Sequence, residues 1–286
     1  METVTSNTAL RTLLSPFRLE GKTIALVPTM GNLHAGHISL VERAGQSADI
    51  VVTSLFVNPT QFGENEDLDS YPRTLQADQE KLEKAGNHFL FAPSVDEIYP
   101  AGLNQSTVHV PGCTTGLCGG KRPGHFDGVS TIVTKLFHIV QPDTAIFGEK
   151  DFQQLCTIKK MVNDLCFPIK IIGVETCREA DSLAMSSRNG YLSDDERTKA
   201  PALYGALLQI KTALLAGDIH HEALIKNGIQ QIEKQGFVSD YLEIREASTL
   251  QPAENNDKNL VILIAAFIGK TRLIDNISVI LKPEKL

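Results

Sequence analysis

The chain has 286 residues, enough for two folded domains, and a formal net charge of -7 at pH 7 without a long basic run, which argues against a nucleic-acid partner. Its longest apolar stretch, residues 260–268, is far shorter than the roughly 20 residues of a membrane-spanning helix, and we expect neither a membrane partner nor a signal peptide. The five cysteines form no Cys-x-x-Cys pair, which predicts reduced thiols in a cytoplasmic protein rather than a disulfide framework or a zinc site.

Up to about residue 175 the sequence alternates between helical and strand patterns. The predicted helices are 8–19, 34–47, 74–85, 126–140 and 152–165, and the predicted strands are 23–29, 50–57, 88–91, 107–110, 145–147 and 169–174. This alternation predicts an α/β fold, a Rossmann-like parallel sheet with helices on both faces and right-handed crossovers. In such a sheet, ligands bind beyond the carboxyl ends of the strands.

The pattern changes after about residue 176. Ser193-Asp194-Asp195-Glu196 is a capping box that predicts the start of a long helix, and a second helix is predicted over residues 220–235. Three strands are predicted at 241–245, 259–267 and 272–281, the last two antiparallel about a turn at Gly269-Lys270-Thr271. We therefore predict one domain over residues 1–175 and a smaller α+β domain over residues 176–286.

The most informative motif lies between the first long strand and the helix that follows it. The run Val27-Pro28-Thr29-Met30-Gly31-Asn32-Leu33-His34-Ala35-Gly36-His37 places a turn before two histidines three residues apart. Residues at that spacing share one helix face, and the N–H groups at a helix N-terminus attract phosphate. We predict that His34 and His37 face negative charge on an ATP α-phosphate. Ordinary surface histidines are the alternative, which the strand and the glycines disfavour.

Polar amides follow the next predicted strand, in the run Phe56-Val57-Asn58-Pro59-Thr60-Gln61-Phe62. The side chains of Asn58 and Gln61 can each donate and accept hydrogen bonds, which suits the orientation of a small polar substrate. Taken alone, however, the run is more typical of an Asn-Pro turn whose amides are structural. Both interpretations stay open at this point.

Three further segments carry groups that suit phosphate or substrate binding. In Phe147-Gly148-Glu149-Lys150-Asp151-Phe152-Gln153-Gln154, a strand end leads into a helix, Lys150 can place a charge on phosphate, and Gln154 lies one turn into the helix. Met185-Ser186-Ser187-Arg188-Asn189-Gly190 suits a mobile phosphate clamp, and Lys121-Arg122-Pro123-Gly124-His125-Phe126 places two cations before a helix, where they suit a contact with a lid. A solvated turn, a polar interdomain linker and ordinary surface charge are the respective alternatives.

These segments and several others carry a resemblance to a known family. The ordered set closely resembles the pantothenate synthetase (pantoate–β-alanine ligase) family over about residues 21–276. His-x-Gly-His alone marks only the wider nucleotidyltransferase superfamily, whereas the full set is specific. The matching segments are residues 26–34, Phe56-Val57-Asn58-Pro59, Tyr71-Pro72-Arg73-Thr74-Leu75, Phe91-Ala92-Pro93-Ser94, Arg122-Pro123-Gly124-His125-Phe126, residues 147–154, residues 186–192 and Leu273-Ile274-Asp275-Asn276.

The resemblance implies a cytoplasmic enzyme of pantothenate and coenzyme A biosynthesis, an AMP-forming acid–amine ligase. ATP and (R)-pantoate would give pantoyl adenylate and pyrophosphate, and β-alanine would then attack the acyl carbon to release AMP and pantothenate. Catalysis of the first step would be mostly positioning and charge stabilisation around phosphorus. The resemblance also implies Mg²⁺ bridging the ATP phosphates with few protein ligands, a homodimer, and a C-terminal domain that acts as a lid.

The resemblance further implies roles for individual residues. His34, His37 and Lys150 would be catalytic, with His37 the family's assigned proton donor, although donation of a hydrogen bond to the developing charge needs no proton transfer. Gln61 and Gln154 would bind pantoate, and Gln61 would also lie near β-alanine. The ATP site would be lined by Met30, Gly31, Asn32, Leu33, His34, Ala35, Gly36, His37, Gly148, Glu149, Lys150, Asp151, Cys177 through its main chain, Met185, Ser186, Ser187 and Arg188.

Two positions depart from the family pattern. The family usually has Glu where Cys118 stands, and relatives can carry a basic residue where Asp127 stands, which changes the electrostatics near the lid.

Two other functions are alternatives to this ligase activity. One is adenylylation of a phosphate ester, which needs a cationic pocket, whereas the predicted substrate amides are neutral. The other is a catalytically silent nucleotide-binding protein, which the presence of both histidines and the lysine disfavours.

Overall fold

The structure, a computed structural model, describes residues 1–63 and 68–281 and divides the chain into two compact units. The first comprises Met1–Glu149 and Thr157–Glu175. The second comprises Lys150–Cys156 and Thr176–Leu286, of which residues 282–286 lie outside the described part. The predicted domain division between residues 175 and 176, with a lid role for the second domain, stays a prediction. No helix in the described ranges is long and apolar enough to cross a membrane.

The first unit is built on a six-stranded parallel sheet, which confirms the predicted α/β class. Its strands are β1 (Glu2–Val4), β2 (Ile24–Thr29), β3 (Ile50–Leu55), β4 (Phe89–Phe91), β5 (Thr144–Gly148) and β6 (Lys170–Val174), in the order β1-β4-β3-β2-β5-β6. The helices of this part of the chain are α1 (Asn7–Leu19), α2 (Ala35–Gly45), α3 (Leu75–Lys84), α4 (Val95–Ile98), α5 (Leu117–Lys121), α6 (His125–Val140) and α7 (Phe152–Asp164), and α7 begins within the second unit.

Helices cover both faces of this sheet. Ala25 and Val27 of β2 belong to a buried cluster with Leu40 and Val41 of α2. Leu26, which alternates with them and therefore points to the opposite face, is also fully buried, and α6 contacts β2 and α1. Burial on both faces explains why the central strands are apolar runs rather than alternating patterns.

The strand order reverses at β2. From β2 the chain continues through β3 and β4 on one side, and it returns through β5 and β6 on the other side. Strand β2 accordingly pairs with β3 at Thr29 and Leu55 and with β5 at Leu26 and Ala145. Open α/β sheets bind ligands beyond the carboxyl ends of the strands at such a reversal. The segments that follow β2, β3 and β5 are therefore where a site is expected.

In its described residues the second unit contains a three-stranded antiparallel sheet, the start of α7 and three further helices, which confirms the predicted smaller α+β region. Its strands are β7 (Val238–Glu246), β8 (Asn259–Ile268) and β9 (Thr271–Ile280), and its helices are α8 (Asp194–Lys199), α9 (Ala202–Leu215) and α10 (His221–Glu233). Leu207 and Ile210 of α9 pack with Ile232 of α10 and Ile262 of β8 in one buried cluster. The turn between β8 and β9 lies where it was predicted, because Ile268 pairs with Thr271.

Three details of the predicted element order are wrong. Residues 107–110 form no strand, because the Val108 N–H donates to Thr131 Oγ1 at 2.9 Å and the Val108 carbonyl accepts from the Ser130 hydroxyl, so α6 side chains satisfy that backbone. The long helix predicted from Ser193 is two helices, α8 and α9, since Pro201 cannot supply the N–H that would continue the first. The short elements β1, α4 and α5 were not predicted.

Candidate active site

The segment between β2 and α2 brings the two predicted histidines together. His34 is the N-cap residue of α2, and His37 lies three residues later in its first turn. Their ring centroids are 4.1 Å apart at an interplanar angle of 43°. Both side chains are half-buried. The pair therefore stands at a helix N-terminus, where backbone N–H groups and the helix dipole favour a bound anion.

Backbone contacts determine which ring nitrogen of each histidine carries a hydrogen. His34 Nδ1 accepts from the Gly36 N–H at 3.2 Å, and His37 Nδ1 accepts from the His34 N–H at 3.3 Å. A ring nitrogen that accepts a hydrogen bond carries no hydrogen, so in each neutral ring the hydrogen lies on Nε2. Each imidazole is consequently a donor through Nε2, which is the arrangement that a phosphate oxygen requires.

Helix α3 holds the loop that precedes His34. Asp78 is fully buried, and its carboxylate accepts from the Asn32 N–H at 2.9 Å, the Leu33 N–H at 2.8 Å and the Thr74 hydroxyl at 3.0 Å. One turn further along the helix, Lys81 Nζ donates to the Leu33 carbonyl at 2.6 Å. Two side chains of one helix thus satisfy loop backbone groups on both sides of Leu33.

Asp78 and Lys81 were not among the predicted site residues. The signal for Asp78 was its place four residues before Leu82, on the buried face of an otherwise polar helix, because a carboxylate on that face needs a partner inside the fold. Gly31 belongs to the same arrangement. Its φ is +88°, and an added Cβ would lie 3.1 Å from Leu55 Cδ2, so the turn after β2 requires glycine.

The two predicted amides after β3 differ in how fully the protein engages them. Asn58 is fully buried and caps the 3₁₀ turn Pro59–Gln61. Its Nδ2 donates to Gln61 Oε1 at 3.1 Å and to the Gly128 carbonyl at 3.2 Å. Its Oδ1 accepts from the Tyr99 hydroxyl at 2.6 Å and from the N–H and hydroxyl of Thr60. Both atoms of the Asn58 amide are therefore engaged within the protein, as the structural alternative predicts.

These contacts also fix the orientation of the Gln61 amide. A backbone carbonyl can only accept and a backbone N–H can only donate, so Gly128 and Thr60 identify which end of the Asn58 amide is nitrogen. Gln61 Oε1 faces that nitrogen, and Gln61 Nε2 is the end left for a ligand oxygen. Burial raises the pKa of Tyr99, which keeps its hydroxyl a donor to Asn58.

The segment before α6 holds the backbone of Gln61. The Gln61 carbonyl lies 2.7 Å from His125 Nδ1 and 3.3 Å from Arg122 Nη2. Gly128 permits the close approach of α6, because a Cβ there would lie 2.3 Å from the Thr60 carbonyl oxygen. The segment predicted as a lid contact or as surface charge therefore contacts the predicted pantoate-binding residue.

The predicted phosphate-binding segment follows β5 directly. Gly148 is the last residue of β5, and Glu149–Asp151 forms a 3₁₀ turn that leads into α7. Lys150 and Gln154 are half-buried and belong to the second unit. Within that unit, Asn276 Nδ2 donates to the Lys150 carbonyl at 2.8 Å. The backbone of Lys150 is therefore fixed by a residue of β9.

A turn in the second unit brings Cys177 and Met185 together. The Cys177 carbonyl accepts from the Met185 N–H at 2.9 Å, and Arg178 forms an antiparallel bridge with Ala184. Ser186 then caps the 3₁₀ turn Ser187–Tyr191 by accepting from the Arg188 N–H at 3.3 Å. Two segments predicted separately for the nucleotide are thus parts of one continuous substructure.

In the described ranges, no group of three His, Cys, Asp or Glu residues is placed to hold a metal ion. All five cysteines lie in the described residues and are thiols. Cys118, where the family usually has Glu, is buried in α5.

Comparison with known proteins gives the same family over the whole chain. The family model for pantoate-beta-alanine ligase matches residues 2–278. A pantothenate synthetase of Stutzerimonas stutzeri (strain A1501) is 59% identical over 283 residues, 99% of each chain.

Solved structures agree with this match. The pantothenate synthetase of Thermus thermophilus has a TM-score of 0.91 at 44% identity and covers 97% of this chain and 99% of its own. A pantoate-beta-alanine ligase from Francisella tularensis, complexed with beta-gamma ATP and β-alanine, has a TM-score of 0.80 at 35% identity and covers 97% of each chain. The protein described here belongs to the pantoate–β-alanine ligase family.

Proposed function

We propose that this ligase condenses (R)-pantoate with β-alanine through a pantoyl-adenylate intermediate. In the first step a carboxylate oxygen of pantoate attacks the α-phosphorus of ATP, and pyrophosphate leaves. In the second step the amine of β-alanine attacks the acyl carbon, AMP leaves, and pantothenate is the product. The observation that carries the proposal is the His34–His37 pair at the carboxyl end of β2, in a chain of this ligase family.

The two histidines stabilise the charge that develops in the first step. Attack by the carboxylate places additional negative charge on the oxygens around the α-phosphorus. The Nε2–H groups of His34 and His37, together with the N–H groups in the first turn of α2, donate hydrogen bonds to those oxygens. Because donating a hydrogen bond is sufficient, His37 does not need to transfer its proton. Backbone contacts set the tautomer of each histidine, with the hydrogen on Nε2, before the substrate binds.

The remaining ATP contacts belong to three segments. Residues 30–37 line the site beside the helix N-terminus, and residues 148–151 bind the nucleotide, with Lys150 on the phosphates. Cys177, through its main chain, touches adenine, and residues 185–188 bind the triphosphate. The position of Gly148 at the end of β5, beside the strand reversal, supports this assignment. If ATP binds as its Mg²⁺ complex, the ion would neutralise part of the phosphate charge.

Pantoate is bound by neutral amides. Gln61 Nε2 donates to a carboxylate or hydroxyl oxygen of pantoate, which follows from the orientation that Asn58 imposes on the amide. Gln154, one turn into α7, provides the second amide, and β-alanine binds next to Gln61. An amide binds an anionic carboxylate without neutralising it, so the carboxylate keeps the electron density that it needs as a nucleophile.

Isotope exchange between ATP and pyrophosphate tests the proposal. We expect exchange that requires pantoate and proceeds without β-alanine, and AMP release once β-alanine is added. Exchange that depends on a phosphate ester and not on pantoate would instead identify the adenylylation of a phosphate ester. ATP binding without any exchange would identify a catalytically silent nucleotide-binding protein.

The proposal extends to assembly and to the role of the second domain. We propose a cytoplasmic homodimer in which residues 176–286 act as a lid over bound ATP. Light scattering in solution is expected to give twice the chain mass of 31.2 kDa. Small-angle X-ray scattering is expected to show a smaller radius of gyration when ATP and pantoate are present. A monomer, or a radius that ligands do not change, would contradict the corresponding part.

A further inference from the structure

The Leu273-Ile274-Asp275-Asn276 segment has no part in the reaction proposed above. Asp275 and Asn276 are adjacent in β9 and are 5% and 6% exposed. Buried polar side chains are costly unless their hydrogen bonds are satisfied, so the partners of this pair indicate what it does.

Asp275 forms a bidentate ion pair with Arg178. The two N–O distances are 2.8 Å from Nη1 to Oδ2 and 2.9 Å from Nη2 to Oδ1. Arg178 is held further by the ring of Tyr204, whose centroid is 3.6 Å from the guanidinium carbon, and by the Ser182 carbonyl at 3.0 Å. Since Arg178 directly follows Cys177, this ion pair attaches the turn that carries Cys177 to β9.

Asn276 connects that ion pair to Lys150. The Asn276 N–H donates to Asp275 Oδ1 at 2.8 Å, and its carbonyl accepts from Arg178 Nη2 at 3.4 Å. Its side-chain Nδ2 donates to the Lys150 carbonyl at 2.8 Å across 126 residues of sequence. The same two adjacent residues of β9 thus contact both nucleotide-binding segments of the second unit.

We propose that Asn276 is a positioning residue that acts through Lys150, with the Asp275–Arg178 ion pair fixing the backbone of Asn276. This inference rests on the proposed function, in which Lys150 binds ATP phosphate. The hydrogen bond to the Lys150 carbonyl restricts backbone rotation within a turn of three residues. Rotation there would move the base of a long, flexible side chain and spread the ammonium over many positions.

Substitution of Asn276 tests the positioning role. Asn276→Ala removes the donor to Lys150, and we expect the Kd for ATP, measured by calorimetry, to rise by about tenfold while the KM for pantoate stays unchanged. Asn276→Asp keeps the size and the backbone N–H contact but replaces Nδ2 with oxygen, and the same rise is expected. It serves as the second variant if the alanine variant does not fold.

A matched control separates positioning from general stability of the sheet. Asp240→Asn weakens the Arg272–Asp240 ion pair, whose N–O distance is 2.8 Å, in the same three-stranded sheet. It is expected to lower the melting temperature without changing the Kd for ATP. A purely structural role for Asn276 predicts the same result for its variants, and that result would overturn the proposal.

A double-mutant cycle tests whether Asn276 acts through Lys150. Lys150→Met removes the ammonium and keeps the backbone carbonyl. In that background we expect Asn276→Ala to change the Kd for ATP by less than about twofold, because interacting residues are not additive. An undiminished effect in both backgrounds would refute the inference. Failure of the proposed function is distinguishable, since it appears in the unsubstituted protein as the absence of pantoate-dependent exchange.

Discussion

The segment that carries His34 and the segment that carries Lys150 are held by different means. The loop before His34 is fixed by Asp78 and Lys81 of α3, which contact its backbone across 45 to 48 residues of sequence. The Lys150 backbone is fixed by the neutral Asn276 amide across 126 residues. In both cases the holding residue contacts backbone atoms and not the side chain for which we propose a catalytic role. We infer that backbone contacts from distant residues set the positions of both proposed catalytic groups.

The largest expected effect is a loss of exchange activity when His37, which follows His34 in the first turn of α2, is substituted. His37→Ala removes one donor to the α-phosphate, and we expect the rate of pantoate-dependent exchange to fall by about 10² to 10³-fold. Circular dichroism should show an intact fold, because the lost contacts, including the capping contact to the His34 N–H, lie at the first turn of α2 and not among its buried residues Leu40, Val41 and Ala44. His220→Ala, which truncates a histidine side chain that is 80% exposed, is the matched control. Near-normal exchange by His37→Ala would contradict the proposed role.

The variant Asp78→Asn tests whether α3 holds the loop before His34. This change replaces a buried carboxylate, which accepts three hydrogen bonds, with a neutral group, and we expect a loss of about 2 kcal/mol in the free energy of unfolding. Exchange is expected to fall by about tenfold or more, since the loop carries His34. Glu80→Gln, at an exposed carboxylate of the same helix, is the control. If exchange in Asp78→Asn is unchanged despite the lower stability, the loop does not depend on α3.

A smaller and more selective effect is expected from Tyr99→Phe. The variant lacks the hydroxyl that donates to Asn58 Oδ1, which loosens the amide that orients Gln61. We expect the KM for pantoate to rise by about threefold to tenfold, with the KM for ATP unchanged. Steady-state kinetics with each substrate varied in turn provide the measurement. Equal changes in both constants would show that Tyr99 supports the fold in general and not the pantoate contact.

The smallest effect concerns stability at the opposite end of the sheet. Desolvation of the ring, followed by the charge of the N-terminus, lowers the pKa of His88, whose Nδ1 accepts from the Val51 N–H at 3.0 Å. The unfolded chain therefore binds the proton more readily, and stability falls as the pH drops below about 6.5. Thermal melts at two pH values should show this loss, and His88→Asn should reduce it. A pH dependence that is identical in the variant would exclude His88 as its source.

Much of the fold was predictable because it is encoded by neighbours in sequence. Strands 24–29 and 50–55 are apolar runs bounded by turns, and the Ser193 capping box marks the start of α8 where it was expected. The prediction failed where a distant side chain or a single residue changed the outcome. The extended backbone of Val108 resembles a strand until the α6 hydroxyls take its hydrogen bonds, and Pro201 divides a continuous helical pattern.

The sequence by itself determined the fold class, the pairing of His34 with His37 and the segments that resemble the ligase family, because these depend on local patterns and on their order along the chain. Only the tertiary structure decided that Asp78 and Lys81 hold the loop before His34, that Asn58 sets the orientation of Gln61, and that Asn276 contacts Lys150. The contacts of Asp78, Lys81 and Asn276 join residues from different elements, and the Asn58 amide that orients Gln61 is itself held by the distant residues Gly128 and Tyr99. No periodicity along a single chain encodes such contacts. Their identity depends on which elements the packing of the core brings into contact.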